Sequence, residues 1–126
     1  KWLKMSIKQK NLEIIKKGMD LVVSNKDGTA FESKITEEGY SFGGKTGTAQ
    51  VKKINRKNRA MGIMNEDLEW RFRHHALFVG YAPMENPRYV CSVVVEHGGG
   101  GSAIAAPIAH DILLETQKRN PAFRKA

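Results

Sequence analysis

Two strand-like stretches joined by a short turn constrain the fold of this chain most strongly. HALFVGYA ends at Ala82, just before Pro83, and YVCSVVVE follows a few residues later. Both are rich in β-branched and aromatic residues, and PMENP between them supplies turn residues, which is typical of a β-hairpin. We predict antiparallel strands at about 76–82 and 89–96. Because Tyr89–Glu96 is apolar nearly throughout, we expect it to be buried on both faces.

A third strand and two helices complete the predicted architecture. Residues 45–52 are rich in Thr and Val, which favour strands, and apolar residues recur at helical spacing over about 7–24 and about 102–117. The order helix, three strands, helix predicts an α+β fold with helices flanking an antiparallel sheet. The apolar helix positions are Ile7, Leu12, Ile14, Ile15, Met19, Val22 and Val23, then Ile104, Ile108, Ile112 and Leu113 with Leu114 alongside.

Glycine, serine and proline mark the ends of these elements. Gly28 follows the first helix, and we expect it to adopt the left-handed conformation that often ends helices. Ser102 is a candidate N-cap of the second helix. Pro107 must lie in the first turn of that helix, because farther along it would break the hydrogen-bond ladder. Residues 53–73 form a charged link whose length is typical of mobile or functional segments.

The net charge of +8 raises the question of a nucleic-acid partner. Basic residues concentrate at the start of the chain, in VKKINRKNR and in QKRNPAFRKA. Aromatic residues are not interleaved with the lysines, as stacking on bases requires. Solvated surface charge is therefore favoured, and no nucleic-acid partner is expected. A basic module that binds an anionic polymer stays open as an alternative.

The chain has one cysteine, Cys91, and therefore no internal disulfide. Its apolar neighbours predict a small buried residue. No apolar run approaches the roughly 18–20 residues of a membrane span. The chain starts at Lys1 without a signal-peptide pattern. We expect a soluble piece of a longer protein.

Two further patterns are weak indications of a ligand. Gly98, Gly100 and Ala103 match the dinucleotide pattern G-x-G-x-x-A, but helix-forming residues follow instead of a strand that carries an acid. A tight turn is therefore favoured over nucleotide binding. His74 and His75 are adjacent in a predicted strand and point to opposite faces, and the other histidines lack partners at metal-ligand spacing. We expect neither a metal site nor a cofactor.

The stretch GGKTGTAQ carries the residues with the clearest chemistry. On an edge strand, Lys45 and the Thr46 hydroxyl can bind a substrate carboxylate, and an extended substrate can pair with the strand. Gly47 presents no side chain to the approaching substrate, and the main-chain N–H of Thr48 can stabilise an oxyanion. These four residues are the predicted substrate-binding site.

This stretch and its surroundings resemble the C-terminal part of the transpeptidase domain of class B penicillin-binding proteins, and among these the elongation-type group called penicillin-binding protein two. The resemblance implies a partial transpeptidase fold, with three strands of a five-stranded sheet and the K-T-G strand at one edge. Residues 1–126 would then be one C-terminal fragment of a single domain. The matching stretches are GMDLVVSNKDGTA, GGKTGTAQ, HALFVGYAPMENPRYVCSVVVEHGGGG and AAPIAHDIL.

The resemblance implies a peptidoglycan D,D-transpeptidase that cross-links stem peptides through a serine acyl-enzyme and binds β-lactams. Lys45 would orient the terminal carboxylate of a D-alanyl-D-alanine stem peptide, and Thr46 would bind the same group. Thr48 would donate one hydrogen bond to the oxyanion. The resemblance also implies a bacterial inner-membrane protein with its catalytic domain in the periplasm and a membrane glycosyltransferase as partner.

The sequence lacks the nucleophile that this chemistry needs. Acylation requires a serine with a lysine three residues later, and none of the serines has one or heads an S-x-N motif. We therefore expect no catalytic residue in this chain and no transpeptidase activity from it alone. A fragment of a serine β-lactamase, which shares K-T-G, is an alternative. The serines are Ser6, Ser24, Ser33, Ser41, Ser92 and Ser102.

The last predicted strand, Tyr89–Glu96, has a consequence for association. In the family it pairs with a strand from the start of the domain, which this sequence does not contain. An apolar strand edge without a partner is a site of strand pairing between molecules. We therefore expect the chain to self-associate through Tyr89–Glu96.

Overall fold

The predicted strands form one antiparallel sheet. A computed structural model describes residues 6–53, 56 and 60–121 of the chain. Strands β1 (Gly43–Ala49), β2 (His75–Ala82) and β3 (Tyr89–Val95) lie side by side in the order β1-β2-β3. Both pairs are antiparallel. Within the described part of the chain, β1 and β3 are therefore the edges of the sheet.

Two helices pack on opposite faces of this sheet. Helix α1 (Gln9–Ser24) contacts Tyr81, and helix α2 (Ala106–Arg119) lies on the other side, where Phe78 points. Side chains of neighbouring strand residues alternate between faces, which separates the two helices. This arrangement confirms the predicted α+β fold. The chain enters α2 through a π-helical turn, Gly101–Ala105, and Pro107 lies in the first turn of α2 as predicted.

The core lies between the sheet and α2. Phe78 and Phe42 pack edge to face with ring centroids 6.0 Å apart, and Leu113 of α2 is buried in the same cluster. These three are the largest side chains that are fully buried among the described residues. Small residues complete the cluster, among them Ala76, Ala82, Ala105, Ala106 and Ala109.

The buried face of α2 differs from the predicted one. Ile104, Ile108 and Ile112 are 39%, 40% and 46% exposed, so the predicted isoleucine stripe does not face the sheet. The chain instead buries the neighbouring row, which consists of Ala105 in the π-helical turn and of Ala109, Leu113 and Gln117 in α2. Of the predicted positions, Leu113 is therefore buried as expected. The alanines bring the helix main chain close to the sheet, where Phe42 and Phe78 already fill the space. Close packing therefore outweighs the burial of the larger side chains here.

The expected burial of Tyr89–Glu96 on both faces is wrong. Cys91 and Val93 are buried on the α2 side, which confirms the prediction for Cys91. On the other face, Val90 is 80% exposed and Val94 is 61% exposed. No described residue covers them, because α1 packs on the opposite edge strand, β1.

Two predicted helix ends also differ. Gly28 does not have a positive φ; a Cβ there would lie 2.3 Å from the Val22 carbonyl oxygen, so glycine is required by close contact with the end of α1. Ser102 is not an N-cap. It lies within the π-helical turn, where no side-chain cap is made.

The predicted link at 53–73 lies partly outside the described residues. Its second half forms two short 3₁₀ turns, Asn65–Asp67 and Trp70–Phe72. None of the helices that the structure describes is long and apolar enough to cross a membrane.

Candidate functional site

Two glycines let β1 pack closely on both faces just before the K-T-G residues. A Cβ on Gly43 would lie 2.6 Å from the Asp20 carboxylate, and a Cβ on Gly44 would lie 2.2 Å from the Phe78 ring. Both distances are too short for a nonbonded carbon, so a side chain at either position would displace the Asp20 carboxylate or the Phe78 ring. The strand includes both glycines: it starts at Gly43, before the predicted start at 45, and it ends at Ala49 instead of at 52.

The four predicted substrate-binding residues lie in succession along this edge strand. Lys45 and Thr48 are exposed, and Thr46 and Gly47 are half-buried. Lys45 pairs with Val79 and Gly47 with Leu77. Because side chains alternate along a strand, Lys45 and Gly47 share the face on which α1 packs. The outer edge of β1 has no neighbouring strand among the described residues.

Lys45 lines a cavity of about 340 Å³ between β1 and the C-terminal end of α1. Its Nζ donates a hydrogen bond to the main-chain carbonyl oxygen of Thr46 at 2.8 Å. A hydrogen bond between an ammonium group and a carboxylate is stronger than one to a neutral carbonyl. A carboxylate in the cavity can therefore replace the Thr46 carbonyl oxygen as the hydrogen-bond acceptor of Lys45 Nζ. The other lining residues are Gly18, Leu21, Val22, Asn25, Asp27, Gly28 and Thr29.

Thr29 contacts the site and was missed by the sequence analysis. Its hydroxyl lies 2.8 Å from the Thr46 hydroxyl. Thr29 follows Gly28 in the turn after α1, and that turn can approach β1 because Gly28 packs on the helix end. In the sequence, Thr29 is only one member of the stretch GMDLVVSNKDGTA, and nothing in that stretch indicates a contact with Thr46.

Tyr81 and Asp20 fix α1 against the sheet. The Tyr81 hydroxyl donates to the Asp20 carboxylate and lies 3.3 Å from the main-chain carbonyl oxygen of Lys16. Burial, the hydrogen bond to Asp20 and its negative charge together raise the pKa of Tyr81 above its ordinary value. The phenol therefore stays protonated as a donor. This contact positions α1, and with it the turn that carries Thr29.

Histidines join the glycine run after β3 to the start of β2 and the residue before it. The main-chain N–H of His97 donates to Nδ1 of His75 at 2.9 Å, and that of Gly99 donates to the His74 carbonyl oxygen at 2.8 Å. The His97 ring packs on Trp70, with centroids 4.3 Å apart. Among the residues that the structure describes, no group of three or more His, Cys, Asp or Glu side chains could hold a metal ion.

Comparison with known proteins decides the family. Residues 1–114 match the family model described as the penicillin binding protein transpeptidase domain. The chain belongs to the penicillin-binding protein transpeptidase family. Its relatives include the peptidoglycan D,D-transpeptidase MrdA of Haemophilus influenzae, 39% identical over 103 residues, and that of Acinetobacter baumannii, 43% identical over 86 residues. These matches cover 80% and 65% of this chain but only 15% and 12% of the relatives.

Solved structures of family members share the fold. PBP2 from Helicobacter pylori, in complex with MreC, matches with a TM-score of 0.74 at 30% identity, over 94% of this chain and 20% of that one. PBP2 from Pseudomonas aeruginosa, in complex with WCK 5153, matches with a TM-score of 0.65 at 32% identity, over 91% of this chain and 21% of that one. The resemblance to PBP2-type transpeptidases is therefore confirmed.

Proposed function

We propose that this sequence forms the C-terminal part of the transpeptidase domain of a longer peptidoglycan D,D-transpeptidase that acts through a serine acyl-enzyme. The observation that carries the proposal is the edge strand β1, on which Lys45, Thr46, Gly47 and Thr48 follow one another beside the cavity at α1. Residues 1–126 are then one fragment of a single domain. Family membership supports the reaction class.

Each of the four residues has a defined part in the proposed reaction. An extended stem peptide, or a β-lactam that imitates its D-alanyl-D-alanine end, pairs with the free edge of β1. Lys45 and the Thr46 hydroxyl hold its carboxylate at the cavity. Gly47 leaves the approach open. The Thr48 N–H donates to the oxyanion that forms when the carbonyl is attacked.

The nucleophile comes from another part of the longer protein. No serine of this sequence has a lysine three residues later, so the chain supplies one wall of the active site. A hydroxyl without a neighbouring base is a poor nucleophile at neutral pH. We therefore propose that this chain has no transpeptidase activity by itself.

Intact-mass spectrometry after incubation with a penicillin tests the proposal. We expect a stable adduct on the full-length protein and none on the 126-residue chain. Rapid hydrolysis of the penicillin, with only a transient adduct, would favour a serine β-lactamase. No adduct on either sample, together with strongly salt-dependent binding to a polyanion, would favour a basic anionic-polymer-binding module. Either outcome contradicts the proposal.

The setting of the longer protein is also a proposal. We place it in the bacterial inner membrane, with the transpeptidase domain in the periplasm and a membrane glycosyltransferase of the elongation machinery as its partner. The similarity to MrdA proteins and to a PBP2 that was solved with MreC supports this setting. The isolated chain is proposed to self-associate through the outer edge of β3.

A further inference from the structure

The glycine run after β3 places one residue directly over the K-T-G strand. Gly101 is buried and begins the π-helical turn that leads into α2. A Cβ on Gly101 would lie 2.4 Å from the carbonyl oxygens of Gly47 and Leu77, and 2.9 Å from the Gly47 nitrogen. No side-chain atom fits at these distances. The main chain at Gly101 therefore packs directly on the Gly47–Leu77 pair.

A displacement of Gly47 would be transmitted to Thr48. The Gly47 carbonyl and the Thr48 N–H belong to one planar peptide group, so a force that moves the oxygen also turns the N–H. Leu77 lies in the central strand and is paired on both sides. Among the described residues, β1 is paired on one side only, so of the two strands β1 should yield more to a clash at residue 101.

We infer that Gly101 is a positioning residue for the Thr48 N–H. By packing without a side chain on the Gly47–Thr48 peptide, it fixes the direction in which that N–H points. The inference rests on the proposed function, in which this N–H donates to the oxyanion. Gly101 itself touches neither the substrate nor the reacting atoms.

The neighbouring glycine provides a matched control. Gly100 has φ −94° and ψ 134°, which are extended values open to other residues. A Cβ on Gly100 would meet no heavy atom within 4 Å. Gly100→Ala therefore adds the same methyl group to the same loop without pressing on β1.

The test compares Gly101→Ala with Gly100→Ala in the full-length protein. Acylation by a fluorescent penicillin, measured over a range of concentrations, separates the limiting acylation rate from the affinity of the noncovalent complex. We expect Gly101→Ala to lower the limiting rate about 10- to 100-fold, because oxyanion-hole geometry acts on the transition state. The affinity, which Lys45 and Thr46 determine, should change less. Gly100→Ala should match the wild type in both quantities.

Infrared spectroscopy of the acyl-enzyme adds a readout that loss of stability alone would not change. Hydrogen bonds to the ester carbonyl lower its stretching frequency, so a displaced Thr48 N–H should raise that frequency in Gly101→Ala and not in Gly100→Ala. Equal limiting rates and equal frequencies in the two variants would overturn the inference. So would a loss of affinity at an unchanged limiting rate.

An unreactive wild-type protein and an unfolded Gly101→Ala variant have different consequences. A wild-type protein that is not acylated overturns the proposed function, and the role of Gly101 with it, before any variant is compared. If Gly101→Ala does not fold, Ser102→Gly loosens the same turn without adding an atom. That variant should show a smaller decrease in the limiting rate and the same direction of frequency change. A wild-type limiting rate together with a wild-type ester frequency in Ser102→Gly would overturn the inference.

Discussion

The hydroxyls of Thr29 and Thr46 lie 2.8 Å apart and join the turn after α1 to the K-T-G strand. When Thr29 donates to Thr46, the Thr46 proton is free to reach a substrate carboxylate. When Thr46 donates to Thr29 instead, the Thr46 proton is not available to a substrate carboxylate. Thr29 therefore controls whether Thr46 can act as a donor in the proposed reaction.

Substitution of Thr29 tests this relationship. In the proposed reaction Thr29 donates to Thr46 and Thr46 donates to the substrate carboxylate. Thr29→Val removes the first of these hydrogen bonds and should lower the second-order rate of penicillin acylation of the full-length protein about fivefold, since a neutral hydrogen bond contributes about 1 kcal/mol. Thr29→Ser keeps the hydroxyl and should stay close to wild type. Equal rates for the valine and serine variants would contradict the role of the Thr29 hydroxyl.

The part assigned to Thr48 belongs to its main chain, so its side chain should be dispensable. Thr48→Ala keeps the N–H and should acylate at nearly the wild-type rate. Thr48→Pro removes the N–H and should lower the limiting rate about 10²- to 10³-fold, as expected for one lost oxyanion donor. An edge strand tolerates proline, and circular dichroism checks that the fold remains. A comparable loss in Thr48→Ala would show that the hydroxyl matters instead.

The strands could be predicted because their signals are local. β-branched and aromatic residues, together with turn residues between them, indicate strands without any knowledge of distant contacts. The glycines around the site could not be assigned in the same way. Gly44 is required by Phe78 and Gly101 by the Gly47 main chain. Both contacts join residues more than thirty positions apart, and only the folded chain reveals them.

The face of α2 shows the same limit of sequence patterns. Ile108 and Ala109 are neighbours, and the predicted apolar side combined the row of Ile108 with Leu113 from the row of Ala109. The structure buries the row that contains Ala109 and Leu113, since Phe78 of the sheet and Phe42, which directly precedes β1, already fill the space at that point. A periodic pattern indicates that a helix has an apolar side. It does not indicate which of two adjacent rows fits the partner surface.

The stability of the fold should depend on pH through two side chains, the Tyr81 phenol and the Cys91 thiol. Burial raises the pKa of both groups, and Asp20 raises that of Tyr81 further. A group whose pKa is higher in the folded state stabilises the fold at low pH, and this contribution is lost as pH rises above its unfolded value. For a thiol and a phenol, that loss begins near pH 9 and pH 10. We therefore expect the melting temperature of the full-length protein to fall between pH 8 and pH 11.

Tyr81→Phe separates the contribution of the phenol. The variant should lower the stability at pH 8 by about 1–3 kcal/mol, because the Asp20 carboxylate loses its hydrogen-bond donor. It should also make the decrease between pH 9 and pH 11 less steep. Cys91→Ala isolates the thiol in the same way. A melting curve of Tyr81→Phe with the wild-type pH dependence would contradict the assignment.

We expect the outer edge of β3 to determine whether the isolated 126-residue chain associates in solution. Val90 and Val94 are largely exposed on a strand that has no outer neighbour within the described residues. Strand pairing between two chains would satisfy the main-chain groups of this edge and bring the two valines toward apolar surface. We therefore expect concentration-dependent association, measured by light scattering. Charged residues on an edge strand oppose such pairing, so Val90→Lys and Val94→Lys should shift the chain toward monomer.

Val51→Lys is the matched control, since Val51 is also exposed but lies outside the three strands. It adds the same charge and should leave association unchanged. If all three lysine variants reduce association equally, net charge rather than the β3 edge is responsible. A wild-type chain that stays monomeric at high concentration would contradict the proposed self-association altogether. In the full-length protein we propose that a further strand pairs with this edge, so the same edge should be protected from amide hydrogen exchange there.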